Sequence, residues 1–222
     1  SVLIPSFLAA YTGVNQSKVS LSPFPKLPLP NWNINYNGLT KIKAIGKRFS
    51  NITIQHRYQG TYTVGGFTSN LQYNPDTTPV TGKDLISKYN ITNITIRESF
   101  NPLIGVDVTT KSGITGGFKM SRTRNVTLFV PNANVTENNI KDYTFNMGYR
   151  TNGVKLPIKL NGKKAYLAND LSMTLEVSIQ NNVNIVRRVD QNTNTPTGGQ
   201  RVVTIRPNIN YMINSNVNLQ IF

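Results

Sequence analysis

Few side chains in this sequence are suited to making or breaking covalent bonds. The chain has no cysteine, so it offers no thiolate nucleophile, no disulfide and no thiolate zinc site. Its one histidine, His56, would need a nucleophile and an orienting group to act as a base, and the surrounding sequence supplies neither. We interpret His56 as a packed or interfacial side chain, and we predict no catalytic residue, no metal site and no cofactor.

The acidic residues and the glycine pairs do not form a recognisable site either. The nine acids are spread singly, without the pairing of a glycosidase or the spacing of a calcium loop. Glycine pairs at 65–66, 116–117 and 198–199 lack the sequence context of a phosphate-binding loop. We predict that these glycines lie in bulges or turns and that the chain is not an enzyme.

The chain is strongly basic although it contains few charged residues. Its 24 Lys and Arg against nine Asp and Glu give a net charge of +15, but charged residues make up only 15% of the chain. Typical soluble domains contain about 25%. The remaining polarity is neutral, with 30 Asn, 24 Thr and 14 Ser.

The basic residues form small clusters at 41–48, 119–124, 155–164, 187–188 and 201–206. A nucleic-acid binder would place such charge on one face beside stacking aromatic residues, whereas these clusters are scattered over predicted loops and strands. Anionic lipid headgroups, lipopolysaccharide or a positively charged lumen explain them at least as well. We therefore predict no nucleic-acid partner.

Alternation with a period of two predicts β-strands over most of the chain. Strands of about 20 residues are predicted at 51–73, 91–110 and 170–190, and at ~3.3 Å per residue each would span roughly 65 Å. Gly65-Gly66 is predicted to form a bulge in the first of them, and 111–113 a tight turn. No stretch of ten or more residues shows a convincing helical period, so the predicted fold class is all-β, with long antiparallel strands.

One side of these strands is apolar, and the other is polar but mostly uncharged. This combination favours the wall of a transmembrane β-barrel over a two-layer sandwich. We predict that the neutral polar side faces the lumen, with candidates Thr53, Gln55, Arg57, Gln59, Thr61, Ser172, Thr174, Glu176 and Ser178. We predict that the apolar side faces lipid or neighbouring protein, with candidates Ile52, Ile54, Tyr58, Tyr62, Tyr143, Phe145, Met147, Tyr149, Leu171, Leu175 and Val177. A sandwich whose inner faces are these same apolar stripes stays open as the alternative.

Residues 1–31 are predicted to be a Pro-rich entry segment, and 32–222 the barrel wall. Pro23, Pro25, Pro28 and Pro30 exclude a central strand, whereas residues 5–11 can hold a short helical turn. The sequence starts without Met or a signal-peptide pattern, as expected of a processed chain or a fragment. No apolar run approaches the ~18 residues of a membrane helix, so a helical membrane protein is not expected.

Several strings, spread in order along the chain, resemble the C-terminal part of the SprA/Sov family. They are IPSFLAAYTG at 4–13, LPNW at 29–32 with YNGL at 36–39, FTSNL at 67–71, FNPLIGVD at 100–107, RTRNVTL at 122–128 and TGGQRVVTI at 197–205. That family is the giant outer-membrane translocon of the type IX secretion system of Bacteroidetes, which is also linked to gliding motility.

The resemblance implies a very large single-chain barrel with a protein-conducting pore, located in the bacterial outer membrane. Its implied partners are the rest of the same barrel, a PorV-type shuttle barrel, a plug protein and exported cargo with C-terminal secretion domains. Family members are many times longer than this chain, which would then supply only part of the wall. The alternatives are a smaller porin, a TonB-dependent receptor fragment, and a secreted β-sandwich adhesin or glycan-binding module.

Overall fold

The computed structural model describes residues 3–15, 22, 24, 30–73, 86–151, 154–160, 163–167, 170–188, 193–214 and 217–221. The two helices are α1 (Leu3–Thr12) and α2 (Lys43–Gly46), the second preceded by a 3-10 turn at Gly38–Lys41. The strands are β1 (Asn31–Tyr36), β2 (Phe49–Ser69), β3 (Tyr89–Thr110), β4 (Ile114–Phe129), β5 (Asn134–Thr151), β6 (Val154–Leu160), β7 (Lys163–Leu167), β8 (Leu171–Arg188), β9 (Thr193–Asn214) and β10 (Val217–Ile221).

Eight of the strands form one antiparallel sheet in the order β1-β2-β3-β4-β5-β8-β9-β10. The other two, β6 and β7, follow β5 and precede β8 in the chain and pair with each other as a separate two-stranded sheet. The sheet is open, since its order runs from β1 at one edge to β10 at the other. The prediction of an all-β fold with antiparallel strands is confirmed.

The predicted strand lengths and the predicted turn also agree with the structure. β2 has 21 residues, β3 has 22 and β8 has 18, several times the ~5–6 residues usual in globular proteins. The turn at 111–113 joins β3 to β4, and the Gly113 N–H donates to the Thr110 carbonyl oxygen at 3.3 Å. Gly113 has a φ of +85°, a conformation in which a Cβ would be strained.

Two local predictions need correction. Helix α1 has ten residues, although no stretch of that length showed a helical period; its Pro5 lies in the first turn, where a missing N–H costs nothing. The register of β2 against β3 is unbroken at Gly65-Gly66, and the shifts lie instead at 49–51 and 55–58. The positive φ of Gly66, +80°, gives this part of β2 an irregular backbone without an inserted residue.

The small core lies where α1 packs on the sheet. Ile4 of α1 is buried against Ile91, Ile94 and Leu128, and partly buried apolar side chains surround them. The N-terminal part of the predicted entry segment is thus a helix docked on the sheet, and Asn31 already begins β1. Among the described residues, no helix is long and apolar enough to cross a membrane.

Candidate functional site

The strand register sorts the side chains of the large sheet onto two faces, because directly paired residues of antiparallel strands share a face. One continuous row, on what we call the apolar face, consists of Tyr36, Ile54, Val106, Phe118, Phe145, Val177 and Ile205. The adjacent row, on what we call the polar face, consists of Thr53, Asp107, Gly117, Asn146, Glu176 and Arg206.

The strand register divides the predicted lumen-facing and lipid-facing side chains into the same two groups as the sequence alternation. The predicted lumen-facing residues of β2 and β8, such as Gln55 and Thr174, lie on the polar face. The predicted lipid-facing residues of β2, β5 and β8, such as Tyr143 and Leu175, lie on the apolar face. The sheet therefore separates the two sets, while the medium that each face contacts stays a prediction.

One half of the apolar face carries only apolar side chains and glycine. We call it the apolar band: the apolar-face residues within 52–54, 104–108, 114–120, 143–149, 171–179 and 203–211. It contains no charged side chain, and many of its large side chains are exposed, with Met147 at 54% and Ile205 at 64%, while the others are half-buried. A length of about nine residues along β8 and β9 corresponds to roughly 30 Å. No described element of this chain covers the band.

The other half of the same face holds the small core under α1 and, beside it, a group of charged side chains. Among these, Glu137 is buried, with 7% of its surface exposed. Arg124 Nε donates to Glu137 Oε1 at 2.8 Å, and Arg187 Nη2 donates to Oε2 at 2.7 Å. Arg124 Nη1 also lies 3.5 Å from Glu98 Oε2. We call Glu98, Arg124, Glu137 and Arg187 the charged cluster.

Glu137 lies outside the apolar band. Its ionisation is determined by hydrogen bonding more than by burial. The hydrogen bond from Arg124 lowers the pKa of the Glu137 carboxyl to about 2, although burial acts in the opposite direction. Asn139 Nδ2 also donates to Glu137 Oε1, at 2.9 Å. The carboxylate is therefore fully ionised at neutral pH and neutralises part of the charge of two arginines.

Helix α1 connects to this cluster through Tyr11. Burial, followed by interaction of the Tyr11 hydroxyl with the Glu98 carboxylate, raises the pKa of Tyr11 above its usual value. The Tyr58 hydroxyl of β2 lies near the same carboxylate. Glu98 thus joins the helix to the sheet beside the core that Ile4 forms with Ile94 and Leu128.

A row of basic residues separates the apolar band from the charged cluster. Arg122 pairs directly with Lys141 across β4 and β5; Lys141 pairs with Asn181, and Asn181 with Arg201. Arg122, Lys141 and Arg201 are exposed, and we call them the basic row. An open cleft of about 540 Å³ lies here, lined by Arg122, Arg124, Glu137, Asn139, Lys141, Tyr143, Asn181 and Val183.

On the polar face, side chains bond to one another across strands. Thr95 and Thr127 hydroxyls lie 2.9 Å apart, and Asn138 Nδ2 donates to both Asn182 Oδ1 and Asn184 Oδ1 at 2.6 Å. This face carries at least two ion pairs: Arg206 Nη1 lies 3.1 Å from Glu176 Oε1, and Lys119 Nζ lies 3.9 Å from Asp107 Oδ2. This surface is hydrophilic, and neutral hydrogen-bonding side chains make up most of it.

The interpretation of His56 as a packed side chain is confirmed. His56 Nδ1 lies 2.6 Å from the Leu103 carbonyl oxygen, and its ring contacts Trp32 and Phe100. Trp32 in turn stacks on Tyr58 with ring centroids 4.5 Å apart. Within the described ranges, no group of three or more His, Cys, Asp or Glu side chains is placed to hold a metal ion.

The sequence reasoning did not find the charged cluster or the basic row as sites. The signal was present, because Glu98, Arg122, Arg124 and Lys141 occupy the same parity as the apolar side chains of their strands. The sequence alone does not contain the strand register that aligns these charges in adjacent rows, or the position of α1 on the sheet.

Neither a family model nor a curated protein matches this chain.

Proposed function

We propose that this chain forms part of the wall of an outer-membrane barrel that conducts proteins, as in the type IX secretion translocon that it resembles. The observation that carries the proposal is the apolar band, which crosses the sheet from β2 to β9 without a charged side chain and in which many large side chains are exposed. Exposed apolar surfaces of this extent on soluble monomers are uncommon and mark sites of contact with lipid or protein.

The dimensions of the band support lipid as the covering medium. Barrel strands need about 9–11 residues to cross a bilayer and carry an outward apolar band about 25 Å tall. The band runs for roughly 30 Å along β8 and β9, and strand tilt reduces the height that it covers. A row of cations borders it on one side, where headgroups would begin.

The opposite face supports a hydrated lumen. Its Asn, Thr and Ser side chains satisfy one another across strands and present a neutral surface, which a passing chain meets without strong electrostatic trapping. In this function no bond is made or broken. The wall lowers the barrier to passage because it replaces hydrocarbon with a hydrated polar surface.

The sheet edges support the involvement of further strands of the same barrel. In the described residues, β1 pairs only with Ile54–Gln59 of β2, and β10 pairs only with residues 209–214 of β9. The rest of both outer edges has no strand beside it in the described chain. Unpaired backbone groups are not tolerated in lipid, so neighbouring strands must complete the wall.

The proposal is tested by placing a charge on each side of one strand. In the full-length protein, Leu175→Arg puts a cation in the apolar band and should lower the stability of the membrane-inserted fold by about 2–4 kcal/mol. The amount of folded protein in the outer membrane should fall as a result. The matched control is Thr174→Arg, one residue away on the polar face, which should assemble nearly as well as the parent. Heat-modifiability on gels and outer-membrane abundance are the measurements.

Equal tolerance of the two substitutions would contradict the lipid-facing assignment. A protein that is a soluble monomer without detergent and unfolds cooperatively would support the adhesin or glycan-binding alternative instead. That alternative needs a second layer over the apolar band, and the described residues outside the large sheet supply just the β6–β7 hairpin and the two helices.

Transport of proteins is distinguished from uptake of nutrients by a deletion strain. Loss of secretion of cargo with C-terminal secretion domains, with nutrient uptake intact, would support the translocon. Loss of uptake of one nutrient with intact secretion would favour a smaller porin or a TonB-dependent receptor, whose walls share the same two-faced pattern.

A further inference from the structure

We propose that the basic row is a binding site for the phosphate groups of anionic lipid headgroups. The inference rests on the proposed membrane function and goes beyond it, because it assigns a ligand to Arg122, Lys141 and Arg201. The site comprises the row and the adjoining open cleft of about 540 Å³.

The position of the basic row fits a headgroup better than a soluble partner. The row lies one step along the strands from the last members of the apolar band, Met120, Tyr143 and Val203. Residues on one face recur every ~6.6 Å along a strand, so the cations stand about one headgroup's depth beyond the band. Tyr143, an aromatic side chain typical of such an interface, lines the same cleft.

The charge in the row is not compensated within the described chain. Arg122 and Lys141 are directly opposite each other, about 4.5–5.5 Å apart at Cβ, and like charges so placed repel. The acids of the adjoining charged cluster, Glu98 and Glu137, are already engaged by Arg124 and Arg187. An anion bound between Arg122 and Lys141 would offset this repulsion.

The cleft offers polar groups suited to a phosphate. Arginine and lysine are the usual protein donors to phosphate oxygens, and the Asn181 amide lies beside Lys141 in the same row. The charged cluster closes the side of the cleft away from the band, with Glu137 held by its two arginines. A headgroup phosphate could therefore contact Arg122 and Lys141 while its acyl chains lie along Tyr143 and the band.

The test uses the full-length protein in nanodiscs that contain equal amounts of phosphatidylglycerol and phosphatidylcholine. Lipids that remain bound after mild detergent extraction are counted by native mass spectrometry. The double variant Arg122→Gln/Lys141→Gln should lower the enrichment of phosphatidylglycerol by on the order of tenfold. The matched control, Arg57→Gln/Arg97→Gln, removes two cations from the polar face and should leave it unchanged.

An equal loss in both double variants, or no loss in either, would overturn the proposal. Competition by 10 mM inorganic phosphate that abolishes the enrichment would also overturn it, because the site would then be for a free anion and not for a headgroup. Both double variants must first show parental heat-modifiability, so that a folding defect is not read as lost binding.

A second measurement on the same nanodiscs separates this inference from the proposed function. A spin label at Leu175→Cys should collide with oxygen in the bilayer, and one at Thr174→Cys should collide with a water-soluble nickel chelate. If Leu175 is accessible to lipid but phosphatidylglycerol is not enriched, the headgroup site alone is wrong. If Leu175 is not accessible to lipid, the membrane function is wrong.

Discussion

The apolar band and the helix-covered half of the apolar face belong to the same strands and share the same alternation, but they differ in what covers them. In the helix-covered half, α1 buries Ile94 and Leu128 to 0% and 1% exposure, and the nearby charges are paired. In the band, many side chains of similar size are exposed, none of those in the band is fully buried, and charges are absent. An apolar stripe in a strand therefore indicates burial by protein only when the same chain supplies a cover.

The largest difference between the halves should appear when one leucine in each is shortened. Leu128→Ala removes a fully buried side chain and should lower the free energy of unfolding by about 2–5 kcal/mol. Leu175→Ala, in the band, should lower it by less than ~1 kcal/mol because few protein atoms surround that side chain. Denaturant unfolding of the reconstituted protein measures both. Similar losses would mean that the band is packed by protein after all.

Removal of the central carboxylate should have the next largest effect. Glu137→Gln leaves Arg124 and Arg187 without their shared anion and should cost about 2 kcal/mol, reduced from the value for a fully buried pair because both arginines are partly exposed. The control is Glu176→Gln, which breaks the exposed pair with Arg206 and should cost at most about 1 kcal/mol. The same unfolding measurement compares the two.

The pH dependence of stability should reveal the same carboxylate. The pKa of Glu137 is about 2 in the folded protein and near 4.5 in the unfolded chain. The stability that its ionised carboxylate contributes is therefore complete above about pH 4.5. That contribution should be lost as the pH falls from about 4.5 towards 2. Unfolding measured across this window should show a shallower pH dependence in Glu137→Gln than in the parent; identical slopes would contradict the assignment.

The smallest expected effect concerns the attachment of α1. Tyr11→Phe keeps the ring but removes the hydroxyl that interacts with Glu98, and should weaken docking of the helix by about 1 kcal/mol. Hydrogen exchange of residues 3–12 should become faster, while exchange in β8 and β9 stays unchanged. Faster exchange throughout the sheet would show instead that α1 supports the whole fold.

The sequence predicted the strands well because their alternation is regular and their turns carry clear signals. The 22-residue strand β3 and the turn at 111–113 follow from local pattern alone. The division of β2, β5 and β8 into polar and apolar sides follows from the same period. These features depend on residues close together in the chain, so one sequence is sufficient to predict them.

The site could not be predicted to the same degree, because it depends on register and on a docked helix. Glu137 pairs with Arg124 across a turn and with Arg187 from a strand 50 residues away, so the cluster exists only once β5 is aligned with both neighbours. The sequence predicted no more than a short helical turn for α1. The helix packs on the sheet through contacts with Ile94 and Leu128, which are distant in the chain and invisible to a local pattern. Charged residues at apolar positions were the available signal.

The order of strands in the sheet has a consequence for assembly. From β1 to β5 each strand pairs with the next one in the chain, and the connections at 111–113 and 130–133 are short. Short loops cost little closure entropy, so the β3–β4 and β4–β5 hairpins can form as soon as their second strand is available. The sheet can thus grow by templating, each completed strand offering its edge to the next. A one-residue insertion at 111–113 would then displace the alignment of every strand added later.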